Sequence, residues 1–318
     1  MSNAKLLTSV LLAGLFLASC NDSTSVQSKP HNLPQAVLAI KDDSGYRDFT
    51  EYEVPKQHTI GDGTIAFEGP GIESAKIGYR LYLDSRSVLD VFGKTTSEPV
   101  LQRVGRGDDY HTLSDWGMDI LKVGDSLGAG GLGTFQNSRL RQLGRASKLR
   151  VEIPASQDNT ASFIVSHEGL SSGRGIYSLR TDYSMSGDSR RLSVNVQSSK
   201  NTPQLATGLV KHAGTQRLTG QSSKGGKWAY LATWGNQAFD GEPLGLALFY
   251  RTDSVTGLVE DEFTDGIAFN AKRPIHYEVA AAWSSEPNGI TGLDAFEAYL
   301  EAELVVLENP ESSDTDTL

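Results

Sequence analysis

Between Gly107 and Gly124 the chain gathers Asp108, Asp109, Tyr110, His111, Asp115, Trp116, Asp119 and Lys122. Imidazole and phenol groups can carry protons, carboxylates can act as bases, an indole can stack on a ring, and an ammonium can neutralise an anion. The flanking glycines permit sharp turns and close backbone approach. A polar loop whose Asp and His side chains satisfy its own backbone would have the same composition. The stretch therefore points to chemistry without naming a reaction.

Other chemistry-bearing groups lie on patterned segments. Residues 76–84 alternate, with Ile77, Tyr79, Leu81 and Leu83 on one face and Lys76, Arg80, Tyr82 and Asp84 on the other. If the first face is core, Arg80 and Tyr82 stand side by side on a solvated or cleft face. Residues 87–92 read as a strand ending at Gly93, a turn with Lys94 at its tip. His212 falls in register with Ala206, Gly208 and Val210, and Glu278 lies opposite the apolar row Ile275, Tyr277, Val279, Ala281 and Trp283. His111, Asp109 and Asp119 have ligand chemistry, but no His-x-His or His-x3-His spacing supports a metal, so no cofactor is expected. The glycine-rich run 126–133 precedes no helical pattern and is not a nucleotide fingerprint. Gly169-Leu-Ser-Ser-Gly173 lies between strand patterns with no helix after it, and Gly93-Lys-Thr95 lacks the leading glycine of a phosphate loop, so neither reads as a nucleophile elbow or a nucleotide-binding loop.

The elements that must position these groups are strands. Thirty-three glycines in 318 residues, with one convincing helix, favour a turn-rich β architecture. Residues 37–54 read as strand followed by turn, 148–154 as a short strand, and alternating stretches occur at 160–167, 204–212, 227–234, 244–251 and 274–283. Residues 176–185 and 191–197 form a hairpin through Gly187 and Asp188. Near the end, Thr291 and Asp294 resemble a capping box, followed by Leu293, Phe296, Leu300 and Leu304 at helical spacing. The expected fold is an all-β, large antiparallel sandwich in one domain, residues 35–310, with this helix as a lid on its open side.

The N-terminus reads differently. Lys5 precedes an apolar run, 6–17, shaped like a secretory leader and ending in Leu-Ala-Ser-Cys20. That ending resembles the lipobox of bacterial lipoproteins, with residues 1–20 as signal peptide and Cys20 lipidated. Residues 21–34 would then be a flexible tether and 311–318 an acidic disordered tail. The expectation is an exported protein held at a bacterial membrane, periplasmic face or outer membrane, by its lipid alone. Cys20 is the one cysteine, so the mature domain has neither disulfide nor thiol nucleophile. A net charge of −10 argues against nucleic acid as a partner. Yet residues 76–150 carry 12 Lys and Arg against 8 Asp and Glu, a local excess that suits an anionic ligand in a basic cleft.

Several segments together carry a family likeness: 66–73 (AFEGPGIE), 78–84 (GYRLYLD), 91–94 (VFGK), 109–111 (DYH) and 116–124 (WGMDILKVG), then 208–212 (GLVKH) and 244–248 (LGLAL). In these the chain resembles the bacterial family called domain of unknown function 4861. The resemblance implies a galactose-mutarotase-like supersandwich and an exported protein working alongside enzymes that degrade uronate polysaccharides such as pectin or alginate. It carries no established reaction. The motif positions it marks are Arg80, Lys94, Tyr110, His111, Trp116, Asp119, Lys122 and His212.

For a uronate ligand, removing the proton beside the carboxylate first requires that its charge be neutralised. A cation clamp does that, and such stabilisation is worth roughly 3–4 kcal/mol per donor. Arg80, Lys94 and Lys122 are the expected cations, with Tyr82 beside Arg80 in binding and Trp116 stacking on the sugar. His111, His212 and Tyr110 are the expected proton carriers. In an extended segment Tyr110 and His111 would point to opposite faces, which favours His111, with His212 across the cleft. A lyase would use them so. An isomerase or mutarotase of unsaturated uronates would instead pair a His acid with Asp109, Asp119 or Glu278 as carboxylate base. A non-catalytic carbohydrate-binding lipoprotein would need the cations and Trp116 alone.

Overall fold

The computed structural model describes residues 34–309, apart from 174 and 224. The expected leader, Cys20, all of the tether but Pro34, and the acidic tail lie outside the described residues. Three antiparallel sheets and a small hairpin make up the chain. One five-stranded sheet runs in the order Gln35–Val37, Gly71–Glu73, Ile77–Leu81, Leu89–Lys94, Gly117–Asp119. A second runs Arg139–Gln142, Ala129–Gln136, Leu205–Val210, Thr264–Phe269, Val255–Glu260. The third has nine strands, with Leu244–Arg251, Ile275–Trp283 and Arg191–Ser198 near its middle. The fold is all-β and sandwich-like, with one C-terminal helix.

The layers follow from side-chain alternation. On strand Ile275–Trp283, Tyr277, Val279, Ala281 and Trp283 enter the main core, while Ala280 and Ala282 face the helix. The two five-stranded sheets meet at a parallel bridge between Leu89 and Gly128, and both pack on the nine-stranded sheet. Gly93 shows why the sequence reads as it does. A Cβ there would come within 2.5 Å of the Trp283 ring, so glycine is required by close layer packing rather than by a turn. Lys94 is accordingly not at a turn tip. It ends a strand buried along its whole length.

The helix Leu293–Glu308 buries Phe296, Leu300 and Leu304, as its spacing requires. It covers the outer face of the nine-stranded sheet rather than an open side of the sandwich, and Phe296 lies so close over Gly245 that a Cβ would sit 2.4 Å from the ring. The Thr291–Asp294 capping box does not form. The helix starts after Gly292, whose position receives no side-chain cap. The glycine-rich run is likewise a strand, Ala129–Gln136, buried over most of its length.

Candidate functional site

On strand Ile77–Leu81 both faces are covered, so the expected polar face does not open to solvent. Arg80 is 1% exposed. A buried guanidinium must be paired and fully hydrogen-bonded, and the sheet register supplies the partner. Asp90 stands directly across from Arg80 on Leu89–Lys94, with Nη2 2.7 Å from its Oδ2. One strand further on, Asp119 accepts from the same Nη2 at 2.6 Å. The Phe67 carbonyl takes Nη1 at 3.1 Å, presented by a tight turn in which Phe67 and Glu68 hold positive φ. Tyr110 Oη accepts at 3.4 Å, and Tyr82 Oη lies within hydrogen-bond reach of Nη2 and donates to Asp90 at 2.8 Å. Arg80 is therefore an internal group and not a cation offered to a ligand, while Tyr82 belongs to the same buried network and reaches the cavity described below.

One guanidinium here faces two carboxylates. Burial works against the Arg80 charge, but Asp119 and Asp90 hold it firmly ionised. Burial and then the Asp90 charge push Asp119 up to about 8, with Arg80 opposing them. Burial, reinforced by Asp90, also keeps the Tyr82 phenol neutral. Asp119 meets a second titratable side chain on its way to solvent. His111 Nε2 stands 3.6 Å from Asp119 Oδ2, and its side chain is 57% exposed. The imidazole thus links a buried carboxylate to solvent, an arrangement that can take up, hold and release a proton.

His111 lies in a turn, not an extended segment. The opposite-face argument therefore fails, and Tyr110 and His111 rings lie together, centroids 4.3 Å apart. Tyr110 is tied to Arg80, with burial raising its phenol above the ordinary range, so it walls the site rather than carrying protons. Asp109 is an exposed loop-former, accepting from His111 N at 3.0 Å and Thr112 Oγ1 at 2.7 Å. Those bonds, the Thr112 hydroxyl first, hold it below its usual range, which makes it a poor base.

Beside Asp119 opens a cavity of about 220 Å³ lined by Tyr82, His111, Asp119, Lys122 and Phe239, among others. Lys122 is exposed at its mouth and, among the described residues, forms no ion pair. Phe239 is 59% exposed, with its backbone N held by the Ile120 carbonyl at 2.7 Å. It offers the apolar platform expected of Trp116. Trp116 is instead 6% exposed, packed edge-on against Phe92 with centroids 6.0 Å apart, and cannot stack on a ligand.

Three further expectations are corrected. Lys94 is fully buried, with Nζ 2.6 Å from both Glu73 Oε2 and the Ser74 carbonyl. Glu73 Oε1 also accepts from the Val100 and Leu101 amides, so this pair anchors a loop. His212 does not reach the cavity as a proton carrier. Its Nε2 faces the Lys122 carbonyl at 2.9 Å and its Nδ1 the Gln237 carbonyl at 3.2 Å. The ring sits between carbonyls of the two loops that bear Lys122 and Phe239 and donates to one of them through its N–H, so it is a positioning residue. Glu278 lies near the helix-covered face of the nine-stranded sheet, beside His276 Nε2 at 3.4 Å. Burial raises it to about 7, with Arg191 opposing. It does not line the cavity. Among the described residues no group of three or more His, Cys, Asp or Glu side chains is arranged to hold a metal.

Asp90, Glu73 and Phe239 were not singled out by sequence reasoning. For Asp90 a signal existed: a lone carboxylate inside the apolar run Val88–Phe92 must have a buried partner. Phe239, in an irregular segment, had none.

The family described as "Domain of unknown function (DUF4861)" matches residues 21–312, nearly the whole chain. The chain belongs to this family. No curated protein matches it.

Proposed function

We propose that this member of the DUF4861 family acts on a uronate-bearing carbohydrate by proton transfer at the carbon beside the carboxylate. The observation that carries the proposal is His111, exposed in a sugar-sized cavity and backed at 3.6 Å by buried Asp119. Lys122 pairs with the substrate carboxylate and Phe239 lies under the ring. Neutral His111 takes the proton at C5. The electrons of that C–H bond form the C4–C5 double bond as the C4–O bond breaks, and the departing oxygen takes a proton back. Above its raised pKa of about 8 Asp119 is ionised and stabilises the imidazolium formed on the way.

The arrangement favours elimination over isomerisation. An acid and a base flanking a ring must stand apart, whereas His111 and Asp119 lie close enough to work as one dyad on one face. The test is to incubate the protein with pectin, alginate and their oligomers and follow the ultraviolet absorbance of the new double bond. Appearance of absorbance, lost in His111→Ala with an unchanged melting temperature, supports the lyase. Consumption of unsaturated ends would transfer the dyad to an isomerase or hydratase, and binding without turnover would leave a carbohydrate-binding protein.

A further inference from the structure

A second cavity, of about 350 Å³, opens among the segments that carry His58, Asp84, Ala146 and His167, and it contains none of the groups described above. Two imidazoles line it. His58 Nδ1 lies 2.8 Å from Asp62 Oδ2. Burial works to raise Asp62, but the Thr59 and Thr64 amides, reinforced by His58, bring it down to about 2. An ionised carboxylate only accepts, so Nδ1 carries the proton. Nε2 of this ring is the nitrogen turned away from Asp62, and among the described residues it has no partner.

The other imidazole repeats the pattern in mirror form. His167 is 2% exposed, and burial lowers it to about 4, so it is neutral. Its Nε2 is 2.8 Å from Ser87 Oγ, while Oγ also lies 3.1 Å from the Asp84 carbonyl. Ser87 has one hydroxyl proton. Both contacts are satisfied only if that proton goes to Asp84 O and His167 Nε2–H donates to Oγ. His167 Nδ1 is then a bare lone pair, buried and without a partner. Ser87 holds φ at +50°, a left-handed conformation that a serine adopts at a cost, so this hydroxyl is held where the local chain does not favour it. Buried polar atoms are normally satisfied, and one left open beside a cavity points to a missing partner.

We infer that this cavity is a second binding site, for a hydroxylated ligand of monosaccharide size. The bare His167 Nδ1 calls for a donor and the unpartnered His58 Nε2 for a group that can donate or accept, and a hydroxyl does both. Leu83, Leu149 and Ile60 line the same cavity and suit the C–H face of a sugar ring; Ile60 is exposed at 55% with no other evident use. The cavity volume fits one ring and not an oligomer. The inference does not rest on the reading of the His111 cavity.

The test uses protein labelled with 15N at histidine and a panel of neutral monosaccharides: galactose, glucose, mannose and rhamnose. Without sugar, His167 should show the Nε2–H tautomer with a free Nδ1 lone pair. At least one sugar should shift His167 Nδ1 and His58 Nε2 towards hydrogen-bonded values, saturably. Ala146→Trp, which occupies the cavity with a bulky ring, should abolish the sugar-dependent shifts. His167→Phe should weaken binding by roughly 3–10-fold, the effect of losing one hydrogen bond. His111→Ala should change nothing, which separates this site from the first. The inference is overturned by the opposite tautomer, by no shift with any of the four sugars, or by shifts that survive Ala146→Trp.

Discussion

Two buried ionic groups lie on the same five-stranded sheet, and they differ in balance. Lys94 and Glu73 form a matched pair, closed on every side by the Ser74 carbonyl and the Val100 and Leu101 amides. Arg80 is shared between Asp90 and Asp119, so one carboxyl lacks a charge partner of its own and keeps its proton up to about pH 8, and His111 connects that carboxyl to an open cavity. Burial alone does not mark function, because both groups are buried. The mismatch of charge, with a route to solvent, separates a site from an anchor.

That contrast can be broken by mutation. The largest effect is expected at the anchor. Lys94→Met leaves Glu73 buried and uncompensated, and should cost about 3–5 kcal/mol in chemical denaturation. Activity per folded molecule should stay at the wild-type level. A stable Lys94→Met protein that has lost turnover would reverse the assignment.

Asp119→Asn should do the opposite. It removes the unmatched charge and leaves Arg80 and Asp90 as a one-to-one pair, so the melting temperature at alkaline pH should hold or rise. Above about pH 8, where wild-type Asp119 is ionised, turnover should fall by about 100-fold or more, because the imidazolium loses its support. Kinetics and calorimetry on the same preparation check both.

The pH dependence sharpens the point. Asp119 is raised from 3.8 to about 8, so between those values the folded state holds a proton that the unfolded state releases. Its contribution to stability is full below about 4 and is lost as pH rises towards 8. Wild type should lose stability relative to Asp119→Asn across that window, as urea midpoints at a series of pH values would show. The smallest effect belongs to Phe239→Ala. Loss of an exposed platform should raise KM by roughly fivefold, about 1 kcal/mol, with kcat and stability nearly unchanged. Trp116→Ala, by contrast, should destabilise without a selective effect on KM.

The sheets were legible because alternation is a local signal. Ile77, Tyr79 and Leu81 mark their strand, and the 3.6-residue spacing of Phe296, Leu300 and Leu304 marks the helix. Alternation cannot report whether the second face of a strand is covered, and this misplaced Arg80 as an exposed cation; Lys94 was misplaced with the turn read at Gly93. Gly93 read as a turn because its reason for being glycine, the Trp283 ring, lies far away in sequence. The central stretch 107–124 did supply His111, Asp119 and Lys122 to one cavity. Their neighbours Asp109, Tyr110 and Trp116 have the same chemistry but spend it on the loop and the core. Composition cannot make that division, which depends on where each side chain packs.

The most direct test follows the Asp119 carboxyl carbon by NMR as pH is varied, in the intact protein. The account predicts a midpoint near 8, well above that of an ordinary aspartate, and a change in the His111 ring signals over the same range. An Asp119 that titrates in the usual carboxylate range, with His111 indifferent to it, would contradict the unbalanced cluster and with it the proposed site.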